Sequence, residues 1–403
     1  MNIVKRILKA NQGRDPERLA MKYLALRSGP FSFLRGTCHL FYDRLASSGF
    51  GASAPPVWSC GDLHLENFGG YKGDNRLVYF DIKDFDEAAL APATWELVRL
   101  AASMHVGLGS LGMPDQQASA LVARLTAEYA QALAGGKAGW VERDTAQGVV
   151  SDLLDRLRVR NWVDYLNGRT RLVRKRRRLL VDGRRALPVT EAERDAVCTT
   201  VRAFAAGRRD PDFFRVLDVG RRIAGTGSLG VARYVLLVEG HGSPDGNYLF
   251  DLKQAVPSSL GRHFKALQPR WPDEAHRIAG VQQRMQAVSA ACLHPLSHAG
   301  QGFVLRALQP SEDRLPFERF GTELERIEAA VSLLARCLAW AQLRSSGRQG
   351  SACADHLIGF AARKKWHGQV AQAAAAMAAQ VNADWAVYAA AYDAGQFQVA
   401  FGG

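Results

Sequence analysis

Gly61-Asp62-Leu63-His64-Leu65-Glu66-Asn67, followed after an apolar run by Asp84-Phe85-Asp86-Glu87, is the stretch on which the reading of this 403-residue chain turns. Between the two polar clusters, Arg76-Leu77-Val78-Tyr79-Phe80-Asp81-Ile82 alternates as a short buried strand does, so both clusters are expected at loop ends of a hairpin, face to face. An Asp, an Asn five residues later, a strand and a second Asp form the set that magnesium-assisted phosphoryl transfer uses. One carboxylate accepts the proton of the attacking hydroxyl, while an amide and a carboxylate hold the metal that bridges the nucleotide phosphates. Asp62, Asn67 and Asp84 have that spacing. The competing reading is that Asp and Asn are ordinary turn formers and that a Gly-Asp hairpin end needs no function.

A second segment carries matching chemistry. Residues 216–223 have strand character, Gly225-Thr226-Gly227-Ser228-Leu229-Gly230 is glycine-rich, residues 231–238 are β-branched and apolar, and Tyr248-Leu249-Phe250-Asp251-Leu252-Lys253 reads as a further strand. A dinucleotide-binding fold needs a helix directly after the glycines, and a strand follows instead. Strand, glycine loop, strand, turn and a strand ending in lysine is the order of a kinase nucleotide lobe, in which the loop covers the phosphates and the lysine neutralises them. Gly225, Gly227, Ser228, Gly230 and Lys253 are therefore the expected nucleotide-binding residues. The alternative for Lys253 is a solvated charge at a strand end.

These motifs resemble the aminoglycoside phosphotransferase branch of the protein-kinase-like fold: Gly-Asp-Leu-His-x-x-Asn, then Asp-Phe-Asp-Glu-Ala, then Trp95-Glu96-Leu97-Val98-Arg99-Leu100. With Phe31-Ser32-Phe33-Leu34-Arg35-Gly36 and Gly-x-Gly-Ser-x-Gly added, nearly the whole chain is similar to a bacterial family of unknown function, number 2252. The resemblance implies Asp62 as catalytic base, Asn67 and Asp84 as metal ligands, Phe85 as the apolar neighbour of the metal Asp, and His64 as the loop histidine. It makes Arg35 a candidate for phosphate or a catalytic carboxylate, against a surface arginine at a helix start. It points to Gln282 or Gln286, where a kinase helix offers a Glu to the lysine; Glu274 is the other candidate. The chain departs from the branch at Cys60, Glu66, Lys83 and Glu96.

In ordinary kinases the glycine loop comes first, whereas here Asp62 and Asp84 precede it. The expected architecture is therefore α+β: a two-lobed, circularly permuted protein-kinase-like fold with a small antiparallel-sheet nucleotide lobe and a mainly helical catalytic lobe. Residues 1–210 form the catalytic part, 211–312 the nucleotide part, and 313–403 a helical return. ATP and Mg2+ are the expected cofactors, and a small hydroxylated molecule the expected acceptor. Rival readings are an ATP-binding pseudokinase or scaffold, nucleotidyl transfer to protein, and a metal-dependent phosphoesterase in which Asp62, Asp81, Asp84, Asp86 and His64 gather metals.

Composition sets the frame. A net charge of +13 with 47% hydrophobic residues describes a core-forming chain with an anionic partner, for which nucleotide phosphates, nucleic acid and membrane headgroups all qualify. Six scattered cysteines without a Cys-x-x-Cys pair argue against zinc and against a disulfide framework, and fit a reducing cytoplasm. The basic segment 169–185 reads as a charged hairpin, and the absence of aromatic residues within it makes it a poor single-strand nucleic-acid binder. Thr190 and Glu193 form a capping box opening a helix to Ala205. Helices are expected over 273–291, 323–344 and 370–392.

Overall fold

Proline and short polar caps open the first helices. The computed structural model describes residues 2–51, 54–309, 313–320 and 323–398. It begins with α1 (Ile3–Ala10), α2 (Pro16–Arg27), α3 (Pro30–Gly36) and α4 (Cys38–Ser47). Asn2 and Asp15 accept the Lys5 and Arg18 amides, and Pro16 and Pro30 take first-turn positions where a missing N–H costs nothing. Helices α3 and α4 are divided at Thr37, whose backbone leaves the helical region while its hydroxyl donates to the Phe33 carbonyl.

Strands β1 (Pro56–Ser59), β2 (Phe68–Lys72), β3 (Val78–Ile82) and β4 (Ala89–Pro92) follow, with β1 paired to β4 and β2 to β3, all antiparallel. Helix α5 (Ala93–Ser110) buries 15 of its 18 residues, so it has no solvent face and serves as the axis of the helical layer. Helix α6 (Asp115–Ala134) packs on it, buries Leu121, Leu125, Tyr129 and Leu133, and stops at Gly135, with Gly136 at φ +62°. Strand β5 (Val141–Glu142) joins β3, and α7 (Gly148–Arg158) covers that hairpin.

The second layer is a curled antiparallel sheet. Helix α8 (Trp162–Asn167) and the hairpin β6 (Thr170–Val173) and β7 (Arg176–Leu179) lead to β8 (Ala186–Leu187), α9 (Glu191–Ala205), β9 (Val216–Arg222), β10 (Arg233–Val238), β11 (Tyr248–Gln254), α10 (Glu274–Met285), β12 (His294–His298) and β13 (Gln301–Ala307). The spatial order is β12-β13-β11-β10-β9-β8. Alternation splits the sheet into two faces. Tyr234, Leu236, Phe250 and Leu252 pack under Val197 and Val201 of α9, whose capping box is present. On the opposite face Val235, Leu237 and Leu249 meet α8, and this face continues into the charged row described below.

One element differs from expectation, and two others are placed only by the structure. The charged hairpin turns at Arg174 and Lys175, both in the left-handed region, and Asp182-Gly183 forms a separate turn in which Asp182 accepts the Arg184 and Arg185 amides. Helix α10 ends at Met285 because Gln286 is extended, so the helix does not run to residue 291. Edge strand β12 contains Pro295, a residue tolerated only at a sheet edge.

The chain then returns to the helical layer with α11 (Leu324–Arg344), α12 (Ala354–Ala361) and α13 (Lys365–Asp393), α11 lying against α6 and α13 against α5. Helix α13 also packs on α2: Tyr388 and Trp385 donate to the Tyr23 and Leu26 carbonyls. The architecture is α+β. Among the described residues no helix is long and apolar enough to cross a membrane.

Candidate functional site

The loop before β2 is hung on α5. Gly61 sits at φ +85°, and a Cβ there would overlap the Glu87 carbonyl, so only glycine lets the two acidic clusters touch. The Gly61 amide donates to Glu96 Oε1 at 2.9 Å and the Leu65 amide to Ser103 Oγ at 3.2 Å, both acceptors lying on α5. His64 closes the short turn at Leu65–Asn67 by accepting the Glu66 amide on Nδ1. The Asn67 amide group donates to the Asp62 carbonyl, and the Asn67 carbonyl accepts the Lys83 amide at 2.9 Å. Asp62, Asn67 and Asp84 are thereby drawn to one end of the β2–β3 hairpin. Asp81, by contrast, points to Arg344 at 2.6 Å, and among the described residues no three acidic, histidine or cysteine side chains are grouped to hold a metal.

Each charged group here has its own setting. Arg99, fully buried with its guanidinium over the rings of Phe41 and Tyr42, donates to Asp62 Oδ1 and to the Leu34 carbonyl. Burial pushes the Asp62 carboxyl above its ordinary value, with Asp84 adding to the rise and Arg99 opposing it. Burial opposes ionisation of Asp84 too. There the surrounding Lys253, Arg306, Asp86 amide and Arg233 outweigh it and hold the carboxyl below its ordinary value. Burial and the nearby Arg35, Arg99 and Arg314 push His64 well below the usual imidazole range, which agrees with Nδ1 acting as an acceptor.

Lys253, at the end of β11, forms an ion pair with Asp86. The partners lie 167 residues apart, so the sheet and the acidic hairpin open onto the same place. Neither Gln282 of α10 nor Gln286 just beyond it is the lysine's partner in this arrangement. Gln282 donates to Gln286, which donates to the Ile82 carbonyl at 2.7 Å, while Glu274 pairs with Arg277. Arg277 instead ties α10 to the acidic hairpin through the Asp86 carbonyl at 3.0 Å.

The glycine loop folds onto the N-terminal helices. The Gly227 carbonyl accepts from Arg14 and Lys22, each at 2.8 Å, the Gly230 carbonyl accepts the Asp15 amide at 2.8 Å, and Ser228 Oγ turns back to the Ala224 carbonyl. Gly225 and Gly230 are both left-handed, which the turns at the two ends of the loop require. Arg35 reaches Glu66 at 2.5 Å, and Arg314 reaches the same carboxylate at 2.6 Å.

Several of these residues carry no local signal. Arg99 is hidden in the apolar periodicity of α5, and Lys22 in that of α2. Arg222, Arg233 and Arg306, which converge on buried Asp251 next to Lys253, come from three different strands. Glu66 is the exception, since it already stood out as a departure from the phosphotransferase pattern.

Comparison with curated proteins finds no match, and neither does comparison with solved structures. The family model described as "Uncharacterized protein conserved in bacteria (DUF2252)" matches residues 14–391, and the chain belongs to that family.

Proposed function

We propose that the protein is a magnesium-dependent phosphotransferase of the protein-kinase-like class, circularly permuted, with ATP as donor and a hydroxyl-bearing acceptor. The observation that carries this reading is the Lys253–Asp86 ion pair, which joins a glycine-loop sheet to a Gly-Asp-x-His-x-x-Asn hairpin. Two further facts support it. Helix α2 packs on α13, so the early and late helices are neighbours, as a permuted connection requires. Beside Lys253, three arginines surround a single carboxylate, a surplus of positive charge that suits phosphate.

In this reading Asp62 takes the acceptor's proton. Its raised affinity for a proton suits a base, and Arg99 fixes its orientation. Asn67 and Asp84 would hold the metal: an amide oxygen and an ionised carboxylate are the hard donors magnesium takes. Bound magnesium supplies charge neutralisation at the transferred phosphoryl group. Lys253 and the glycine loop bind the donor phosphates, which requires Lys253 to exchange Asp86 for phosphate. Neutral His64 shapes the loop and takes no part in proton transfer.

One observation favours a second reading, a nucleotide-binding pseudoenzyme: Asp62, Lys253 and the Gly227 carbonyl are each already engaged by protein groups. Calorimetric titration with Mg-ATP, run beside a turnover assay, separates the two. For the enzyme, Lys253→Met weakens Mg-ATP binding at least about tenfold, and Asp62→Asn keeps binding but loses turnover. Binding without turnover across a broad panel of hydroxylated acceptors supports the pseudoenzyme. No saturable heat up to about 10 mM Mg-ATP overturns both.

A further inference from the structure

A cavity of about 510 Å3 lies between α8, the end of α7, the β2–β3 turn and the Tyr248–Leu249 end of β11. That volume is within the range of sites for small organic ligands, roughly 300–1,000 Å3. One wall is aromatic and rigid. Trp162 stacks on Tyr165 and on Tyr248, with centroids 5.2 Å apart in each case, and its indole N–H donates to the Asn247 carbonyl at 3.1 Å. Even so, 37% of this tryptophan is open to solvent. A large ring held by its neighbours that lines the cavity and keeps part of its surface open offers a stacking surface.

The rim opposite is cationic. Five Lys and Arg side chains line the cavity against three carboxylates. Arg160 is fixed there by a two-pronged pair with Asp313, at 3.0 and 2.5 Å. Lys72, Arg76 and Arg158 have no ion-pair partner among the described residues. Arg76 also occupies a left-handed backbone position, φ 68°, in the turn after Asn75. Asn or Gly is favoured at such a position, and the Arg76 amide donates to the Gly73 carbonyl at 2.9 Å.

From this geometry we infer a second binding site, at the turn end of the β2–β3 hairpin and so apart from the acidic cluster at its other end, for a small organic anion with a planar ring. The ring stacks on Trp162, and the anionic group meets Arg76 and Arg158. Arg160, already tied to Asp313, sets the depth of the site. The inference does not depend on the phosphotransferase reading, since none of these residues belongs to that machinery.

Phenyl phosphate is a suitable probe, with benzyl alcohol as its neutral counterpart, titrated calorimetrically into the full-length protein. Phenyl phosphate binds saturably and at least about tenfold more tightly than benzyl alcohol. Arg76→Asn combined with Arg158→Gln reduces its affinity at least about tenfold, with thermal stability kept because Asn accepts the left-handed turn. Trp162→Ala reduces affinity to a similar extent, and Trp162→Phe restores part of it. The site is overturned by no saturable binding up to about 10 mM, by equal affinity for the two probes, or by binding that the arginine pair leaves unchanged.

Discussion

Asp62 and Asp251 are both carboxylates set against arginine, yet the protein treats them in opposite ways. Asp251, on the sheet, is 1% exposed and faces Arg222, Arg233 and Arg306. Burial opposes its charge, but the three arginines outweigh this and hold the carboxyl well below its ordinary value. Asp62, on the helical layer, keeps 20% of its side chain open and has one arginine, and burial wins. A carboxylate ringed by three cations is locked as an anion and cements strands together. One that leans on a single cation and faces solvent can still pick up a proton. The sharpest way to break the comparison is to neutralise each in turn. Asp62→Asn is expected to lower turnover by about 10^2- to 10^4-fold, with Mg-ATP affinity within about twofold of wild type. Equal loss of binding and turnover, measured by titration and steady-state assay, would make Asp62 another structural anion.

At Asp251 the effect should fall on stability. Asp251→Ala leaves three buried guanidinium groups without their common partner, and removing one member of such a cluster costs about 3–5 kcal/mol. Urea unfolding with an unchanged denaturant slope would read this directly. The pH dependence follows from the direction of its shift. A carboxyl whose folded value is depressed contributes stability that is complete above the unfolded value, about 3.9, and is lost as pH falls toward the folded one. Asp251→Asn should therefore flatten the acid limb of the stability curve below about pH 4. An unchanged acid limb would assign acid unfolding to other carboxylates.

The same contrast explains what could be read from the sequence. The gathering of Asp62, Asn67 and Asp84 was legible because a single hairpin carries it, and the period-2 pattern of residues 76–82 declares that hairpin. The mixed α+β class was legible for the same reason, since helical and strand periodicities alternate along the chain. The partner of Lys253 was not. Asp86 is fixed by tertiary packing through Arg277 and α10, whereas the motif pointed to a side chain on α10 itself. The turn at Arg174 and Lys175 was missed because neither residue is a usual left-handed former, while Asp182-Gly183 advertised a turn close by. The end of α10 at Met285 carries no glycine or proline to announce it.

The smallest effect expected tests the glycine loop against the acidic hairpin. Lys22 is 2% exposed, and its ammonium group bonds the Gly227 carbonyl. Burial, reinforced by Arg14, pushes the Lys22 amine well below its ordinary value, with Glu87 and Asp62 opposing. A lysine whose folded value is depressed holds its proton more weakly in the fold than in the unfolded chain. It therefore costs stability at low pH, and that cost fades as pH rises toward about 10.4. Lys22→Met keeps the length and apolar stem, loses one hydrogen bond and removes the buried amine. The net change in unfolding free energy is expected within about 1 kcal/mol at neutral pH, and the variant should gain relative to wild type as pH falls. A loss of several kcal/mol, or a gain at high pH instead, would mean that the ammonium is a charged anchor holding the loop to Asp62 and Glu87. The loop and the acidic hairpin would then form one electrostatic unit rather than two surfaces that meet at Lys253 and Asp86.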